Sequence, residues 1–117
     1  MSISTQSYDL PFITDIPLSK SSLARSMNVS RNSIKAWHKL AYLMIKPYRE
    51  EFPLKDERNL LSRNQEVPFT PYQCWILGRV QWVMKIYRKY DLAKTYIKQN
   101  QHLFSFAKFI SVMKGVA

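Results

Sequence analysis

The chain has 117 residues, 46% hydrophobic and 14% aromatic, which is typical of one compact globular domain and argues against disorder. Its 18 basic residues outnumber 8 acidic ones, giving a net charge of +10. The single cysteine and the two separated histidines exclude an internal disulfide and a multi-cysteine zinc site, and the presence of only two glycines excludes a P-loop and a Rossmann fingerprint. No apolar run is long enough to cross a bilayer, which excludes a spanning segment.

The first predicted elements are an arm and two short helices. Residues 1–18 predict an extended arm that packs on the domain through apolar side chains at Leu10, Phe12, Ile13, Ile16 and Leu18. Ser19 is a suitable N-cap for a helix over 20–27, and Ser30 for a second helix over 31–45.

The segment between these helices predicts a tight turn. Ala24 provides a small contact where two helices cross, and Asn28 tolerates left-handed backbone better than other non-glycine residues. Val29 then enters the core. The other apolar positions that pin both helices to the core are Leu23, Met27, Ile34 and Trp37.

The rest of the chain predicts a polar connector followed by long helices. Pro47 ends the second helix or lies just beyond it, and residues 46–69 predict a β-hairpin or an irregular wing. Thr70, followed by proline, opens a helix that runs to about residue 90. Asp91 can cap a further helix, and residues 102–114 predict the last one.

Charge is distributed in two basic blocks around the connector. Residues 20–49 contain seven basic residues and no acidic one, and residues 76–117 contain eight basic residues against Asp91. Two such blocks indicate surfaces that face a polyanion. Nucleic acid is favoured over an anionic membrane because residues 20–39 are not strongly hydrophobic opposite their charges.

The register of residues 20–39 resembles the DNA-binding helix-turn-helix at its structural positions, with Asn28 where glycine is usual. The resemblance implies that the second helix is a recognition helix whose first residues contact base edges in the major groove. Its outward positions are Arg31, Asn32, Lys35, Ala36 and Lys39.

Under this resemblance, Arg31 suits a bidentate contact with guanine and Asn32 one with adenine, while Ser30 and Ser33 suit phosphate. The alternative for Arg31 and Lys35 is ordinary solvated charge. The predicted DNA-binding residues of the two helices are Ser21, Ser22, Arg25, Ser30, Arg31, Asn32, Ser33, Lys35 and Lys39.

A weaker resemblance, to the MerR-type winged layout, rests on Phe69-Thr70 opening a long helix after an arginine-bearing stretch. It implies a wing beside the recognition helix and a later helix for dimerisation. Arg58 and Arg63 then become wing contacts to phosphate or the minor groove, with pairing to Asp56 and Glu57 as the alternative. The long connector and short C-terminal part depart from that family, and no effector site is evident.

Other functions have weaker support. The carboxylates cluster in the connector, and Cys74 begins an apolar helix where a buried structural thiol is expected, so we do not expect an enzyme. His38 is expected to be exposed or to contact phosphate. A set of aromatic residues is interleaved with Arg79 and lysines, namely Tyr72, Trp75, Trp82, Tyr87, Tyr90, Tyr96, Phe104, Phe106 and Phe109. Such a set suits the binding of single-stranded nucleic acid, or of a protein partner as in an antitoxin- or adaptor-like module. Its helical spacing favours a core plus an oligomer interface instead.

The sequence therefore predicts a mainly α fold. Residues 1–69 would hold the arm, the helix-turn-helix and a wing, and residues 70–117 a helical dimerisation and support region on the same core. The predicted function is a homodimeric, sequence-specific transcriptional repressor that binds double-stranded DNA. We expect a cytoplasmic, nucleoid-associated protein of bacterial or phage-like origin, with no cofactor, metal, membrane or small-molecule partner.

Overall fold

The computed structural model describes residues 11–116, without the side chain of Val116, and is mainly helical, which confirms the predicted class. Leu10 of the predicted arm lies outside these residues. Strands β1 (Leu54–Asp56) and β2 (Asn59–Arg63) pair antiparallel in a hairpin. The helices are α1 (Lys20–Met27), α2 (Arg31–Met44), α3 (Lys46–Glu50), α4 (Pro71–Tyr87), α5 (Tyr90–Gln99) and α6 (Phe106–Val116), with a 3-10 turn (Gln101–Phe104) before α6.

Side-chain caps determine where α1, α2 and α4 begin. The hydroxyls of Ser19 and Ser30 each accept a hydrogen bond from the backbone N–H three residues later, at 3.1 Å. At α4, Thr70 caps the N–H of Gln73, and the Gln73 amide oxygen accepts from the Thr70 N–H at 2.9 Å. The three predicted caps are confirmed, and the reciprocal bond from Gln73 further stabilises the start of α4.

Asn28 forms the turn between α1 and α2 in the left-handed conformation that the sequence predicts. Its φ and ψ are 58° and 47°, and its N–H donates to the Arg25 carbonyl at 3.1 Å. The N–H of Val29 donates to the Ala24 carbonyl at 2.9 Å. These bonds satisfy carbonyls at the end of α1, so the chain turns into α2 without leaving buried polar groups unpaired.

The core is centred on α4, which packs against α2, α3, α5 and α6. Residues 72–77 of α4 are all buried, so this helix has no polar face along that stretch. Cys74 is one of them, as predicted, and burial raises the pKa of its thiol to about 12. The thiol is therefore protonated at neutral pH and acts as a small apolar side chain.

The N-terminal arm is held by backbone bonds and by one close approach. Leu18 and Phe69 exchange two backbone hydrogen bonds of 2.8 and 3.0 Å. Phe12 lies over Gly78 of α4, where an added Cβ would be only 2.9 Å from the Cβ of Phe12. A glycine within a helix costs up to about 1 kcal/mol relative to alanine, and here it makes room for the arm. The predicted packing of Ile16 is wrong, because a Thr14–Ile16 bend leaves that side chain 57% exposed.

Two helix ends differ from prediction around residue 90. α4 ends at Tyr87 because Arg88 adopts a left-handed conformation, with φ at 61°. Lys89, and not Asp91, occupies the N-cap of α5. Asp91 lies in the first turn instead, where its negative charge is favoured by the helix dipole.

The predicted helix over 102–114 is divided in the structure. The 3-10 turn ends at Phe104, and Ser105 takes an extended conformation before α6 begins. The Ser105 hydroxyl accepts a hydrogen bond from the Lys108 N–H at 3.0 Å, which caps the new helix. Among residues 11–116, no helix has both the length and the apolarity that crossing a membrane would require.

Candidate nucleic-acid interface

The exposed face of α2 consists of two rows of side chains. Arg31, Lys35 and Lys39 recur every four residues and therefore form one line along the helix, which we call the basic row. Asn32 and Ala36 lie beside it. All five positions predicted to point outward are exposed, and the structure adds Leu43, which the sequence analysis did not place on this face.

The basic row borders a groove whose opposite wall is the segment 65–69. The groove consists of two adjoining cavities of about 290 and 160 Å³. Lys20, Gln65 and Glu66 line both cavities, while Lys35 and Lys39 line the larger one and Arg31 the smaller. We call this feature the α2 groove. It brings four cations from two helices together on one side of α2.

Among residues 11–116, no carboxylate forms an ion pair with these cations. Within the described part of the chain, the ion pairs are Lys46–Glu50 at 4.0 Å and Arg58–Asp56 at 3.5 Å. Neither pair involves the α2 groove or the exposed Arg25. The positive charge of α1 and α2 is therefore uncompensated by close contacts and attracts anions to this surface.

His38 forms the floor of the groove, and its predicted exposure is wrong. It is 8% exposed, with Nε2 at 2.8 Å from the Gln65 amide oxygen and Nδ1 at 2.7 Å from the Tyr48 hydroxyl. Because an amide oxygen can only accept, Nε2 carries the proton and Nδ1 accepts from Tyr48. Rings of Tyr42, Tyr48, Phe52 and Phe69 surround it at 5.4–5.7 Å. The pair His38–Gln65 therefore fixes the groove wall to α2.

We expect the buried His38 to make stability fall in mild acid. Desolvation lowers its pKa below 6.5, and the nearby charge of Lys20 adds to this, against the opposing effects of Gln65 and Glu66. As pH falls through about 6.5, the unfolded chain binds a proton that the folded chain does not, so the free energy of unfolding decreases. Urea denaturation between about pH 7.5 and 5.5 measures this slope.

The control for that measurement is the exposed His102. Replacing His38 by glutamine should reduce the slope, and replacing His102 by glutamine should preserve it. An unchanged slope in the His38 variant would show that other groups cause the acid sensitivity.

The two predicted wing arginines have different surroundings. Arg63 donates from Nη1 to the carbonyls of Phe52 at 2.8 Å and Glu50 at 3.2 Å, which fixes the base of the hairpin to the end of α3. Its Nη1 group is therefore engaged within the protein. Arg58 has a side chain 92% exposed and pairs with Asp56, so the predicted alternative of ion pairing holds for this residue. The hairpin also exposes Leu60 and Leu61, which the sequence analysis did not single out.

The predicted serines lie at the starts of α1 and α2. Ser21, Ser22 and Ser33 are half-buried, whereas Ser30 is exposed. The Ser30 hydroxyl is 3.1 Å from the Ser33 hydroxyl as well as capping its N–H. These serines therefore organise the helix starts beside the cations.

Most of the aromatic set lies in or against the core and does not form an open surface. Tyr72, Trp75, Phe104 and Phe109 are buried, and so is Arg79, whose guanidinium lies 4.6 Å from the Trp75 ring centre. Burial lowers the pKa of Arg79 to about 10, which still leaves it charged at neutral pH. These four rings cannot stack on nucleic-acid bases without unfolding the core, whereas the other five rings of the predicted single-strand platform are partly or fully exposed.

The C-terminal end of α2 is capped by side chains from two directions. Arg49 donates from Nη1 to the carbonyls of Tyr42 at 2.8 Å and Leu43 at 3.4 Å. The amide of Gln101 donates to the Met44 carbonyl at 3.0 Å. Arg49 belongs to the basic block in sequence, but its charge serves the end of this helix.

No group of three or more histidine, cysteine, aspartate or glutamate side chains that could hold a metal ion occurs within residues 11–116. In the comparisons with known proteins, no family model, curated protein or solved structure matches the chain.

Proposed function

We propose that the chain is a sequence-specific double-stranded DNA-binding protein that uses α1 and α2 as a helix-turn-helix. The observation that carries this proposal is the uncompensated basic row on the exposed face of α2, next to Lys20 at the start of α1. A solvated helix face normally intersperses both signs of charge, whereas residues 20–49 contain no acidic side chain. A polyanion is the partner that this surface fits.

The geometry of α2 suits the major groove, which is just wide enough to admit an α-helix. Arg31 and Asn32 lie in its first turn, where side chains reach base edges in helix-turn-helix docking. Lys35 and Lys39 continue along the same face and, with Lys20, are placed for phosphates on the flanking strand. The small side chain of Ala36 allows close approach.

A second copy of the chain completes the proposal. One helix-turn-helix reads too few base pairs for useful specificity, so such proteins commonly bind as dimers. The C-terminal helices and their connection expose apolar side chains suited to such an interface, namely Ile86, Tyr90, Leu92, Phe106 and Ile110. We propose transcriptional repression as the activity.

The proposal is tested by comparing duplex DNA, single-stranded DNA and RNA of matched length at two salt concentrations. We expect tighter binding to duplex DNA, with affinity falling roughly 40-fold between about 50 and 200 mM salt if Lys20, Lys35 and Lys39 contact phosphate. Fluorescence anisotropy with labelled oligonucleotides provides the measurement. A clear preference for single strands would overturn the assignment, as would duplex binding that is insensitive to salt.

A further inference from the structure

Glu66 is the acidic residue of the α2 groove. Among the described residues that line its two cavities, the other charged side chains are the cations Lys20, Arg31, Lys35 and Lys39. The Glu66 side chain is exposed, and no cation of residues 11–116 lies within 4.0 Å of its carboxylate. A carboxylate thus stands on the groove wall without forming an ion pair with any of the described cations that line the groove.

The position of Glu66 is fixed by its neighbours. Its backbone N–H donates to the Asn64 side-chain oxygen at 3.0 Å. The preceding residue, Gln65, bonds His38 of α2 at 2.8 Å, and Phe69 is paired with Leu18. Bonds on both sides therefore hold the backbone of Glu66 at a defined place on the groove wall, from which its exposed side chain can reach a ligand beside α2.

A carboxylate on this surface has an electrostatic cost if the partner is DNA, because it repels phosphate. It can only accept hydrogen bonds, and the base-edge donors in the major groove are the exocyclic amino groups of cytosine and adenine. Acidic side chains characteristically accept from cytosine N4. At a DNA sequence with no amino group at that place, the carboxylate still repels phosphate but gains no hydrogen bond. The same charge therefore disfavours such sequences relative to those that offer a donor.

Building on the proposed function, we propose that Glu66 is a specificity-determining residue that accepts a hydrogen bond from cytosine N4 beside the α2 contact. The carboxylate lowers the affinity for duplex DNA in general. The hydrogen bond from a cytosine amino group offsets this loss at sites that carry a cytosine at the contacted position. The structure assigns this role to the groove wall, in addition to the outward face of α2.

The experiment is selection of bound sequences from a random duplex pool by the full chain, followed by affinity measurements. The variants are Glu66→Ala and Glu66→Gln, with Glu57→Gln as the matched control, since Glu57 is exposed in the hairpin turn. We expect the wild-type protein to select a motif with a cytosine preference of roughly tenfold at one position. Glu66→Ala should abolish that preference and raise affinity for random duplex.

Glu66→Gln separates charge from hydrogen bonding, because glutamine keeps an accepting oxygen without the charge. It should retain part of the cytosine preference while raising affinity for random duplex, and Glu57→Gln should change neither. If the Glu66 variants select the wild-type motif and gain affinity for all sequences by one factor, Glu66 is only a charge and the inference is overturned. A wild-type protein that binds no duplex sequence selectively would overturn the proposed function as well.

Discussion

Replacing Arg31 by alanine is expected to weaken binding to the selected duplex site by about 1–3 kcal/mol while changing binding to random duplex little. Arg31 is exposed in the first turn of α2, where a guanidinium reaches the paired acceptors of guanine. The loss should therefore appear at one position of the site. Dissociation constants for the selected site and for a scrambled duplex, measured at one salt concentration, give the comparison.

Lys46 provides the contrast, because it begins α3 beyond the end of α2. Its side chain is 72% exposed and lies 4.0 Å from the Glu50 carboxylate. Lys46→Ala should slightly weaken binding to the selected and the random duplex by the same factor, and it should slightly decrease the salt dependence of binding. Both variants should keep the wild-type stability, since both residues are exposed. If each variant reduces binding to the selected and the random duplex by the same factor, α2 does not recognise base sequence and the protein binds duplex DNA non-specifically.

Replacing Ile34 by alanine is expected to lower the free energy of unfolding by about 2–5 kcal/mol. Ile34 is completely buried on the inner side of α2, so truncation leaves a cavity where this helix packs on the core. The midpoint of urea denaturation should fall with an unchanged slope.

Leu43 on the same helix is the matched control. Its side chain is 54% exposed, so Leu43→Ala should change stability by no more than about 0.5 kcal/mol. Equal destabilisation by the two substitutions would contradict the orientation of α2. Since that orientation decides which residues of α2 are exposed, this pair also tests the geometry of the candidate interface independently of binding.

The starts of α1 and α2 were predictable because their determinants are local. A serine hydroxyl caps a helix that begins at the next residue, and apolar side chains recur at helical spacing afterwards. Asn28 was likewise identifiable, because few residues tolerate its left-handed conformation. The outward positions of α2 follow from the same periodicity, which is why Arg31, Lys35 and their neighbours were placed correctly on its exposed face.

The groove wall was not predictable, because it depends on contacts between residues distant in sequence. His38 is buried by Tyr48 and Gln65, which lie 10 and 27 residues away, and no local pattern signals that pairing. The hydrogen bonds of Arg63 were unpredictable for the same reason, because the carbonyls that accept them precede the hairpin and lie more than ten residues away. The proximity of Glu66 to the basic row follows from these contacts and from no periodicity.

The hydrogen bond from the Gln101 amide to the Met44 carbonyl links the last turn of α2 to the C-terminal helices. Ala93, Ile97 and Phe104 from the C-terminal part are also fully buried in the shared core. A fragment that ends before α4 would lose both the amide that caps α2 and the apolar surface beneath it. The exposed face of α2 therefore depends on the C-terminal helices for its position and would not keep it in a shorter fragment. Under the proposed function, any event that stiffens the C-terminal helices, including pairing with a second copy, would also restrain the far end of α2 and contribute free energy to its placement on DNA.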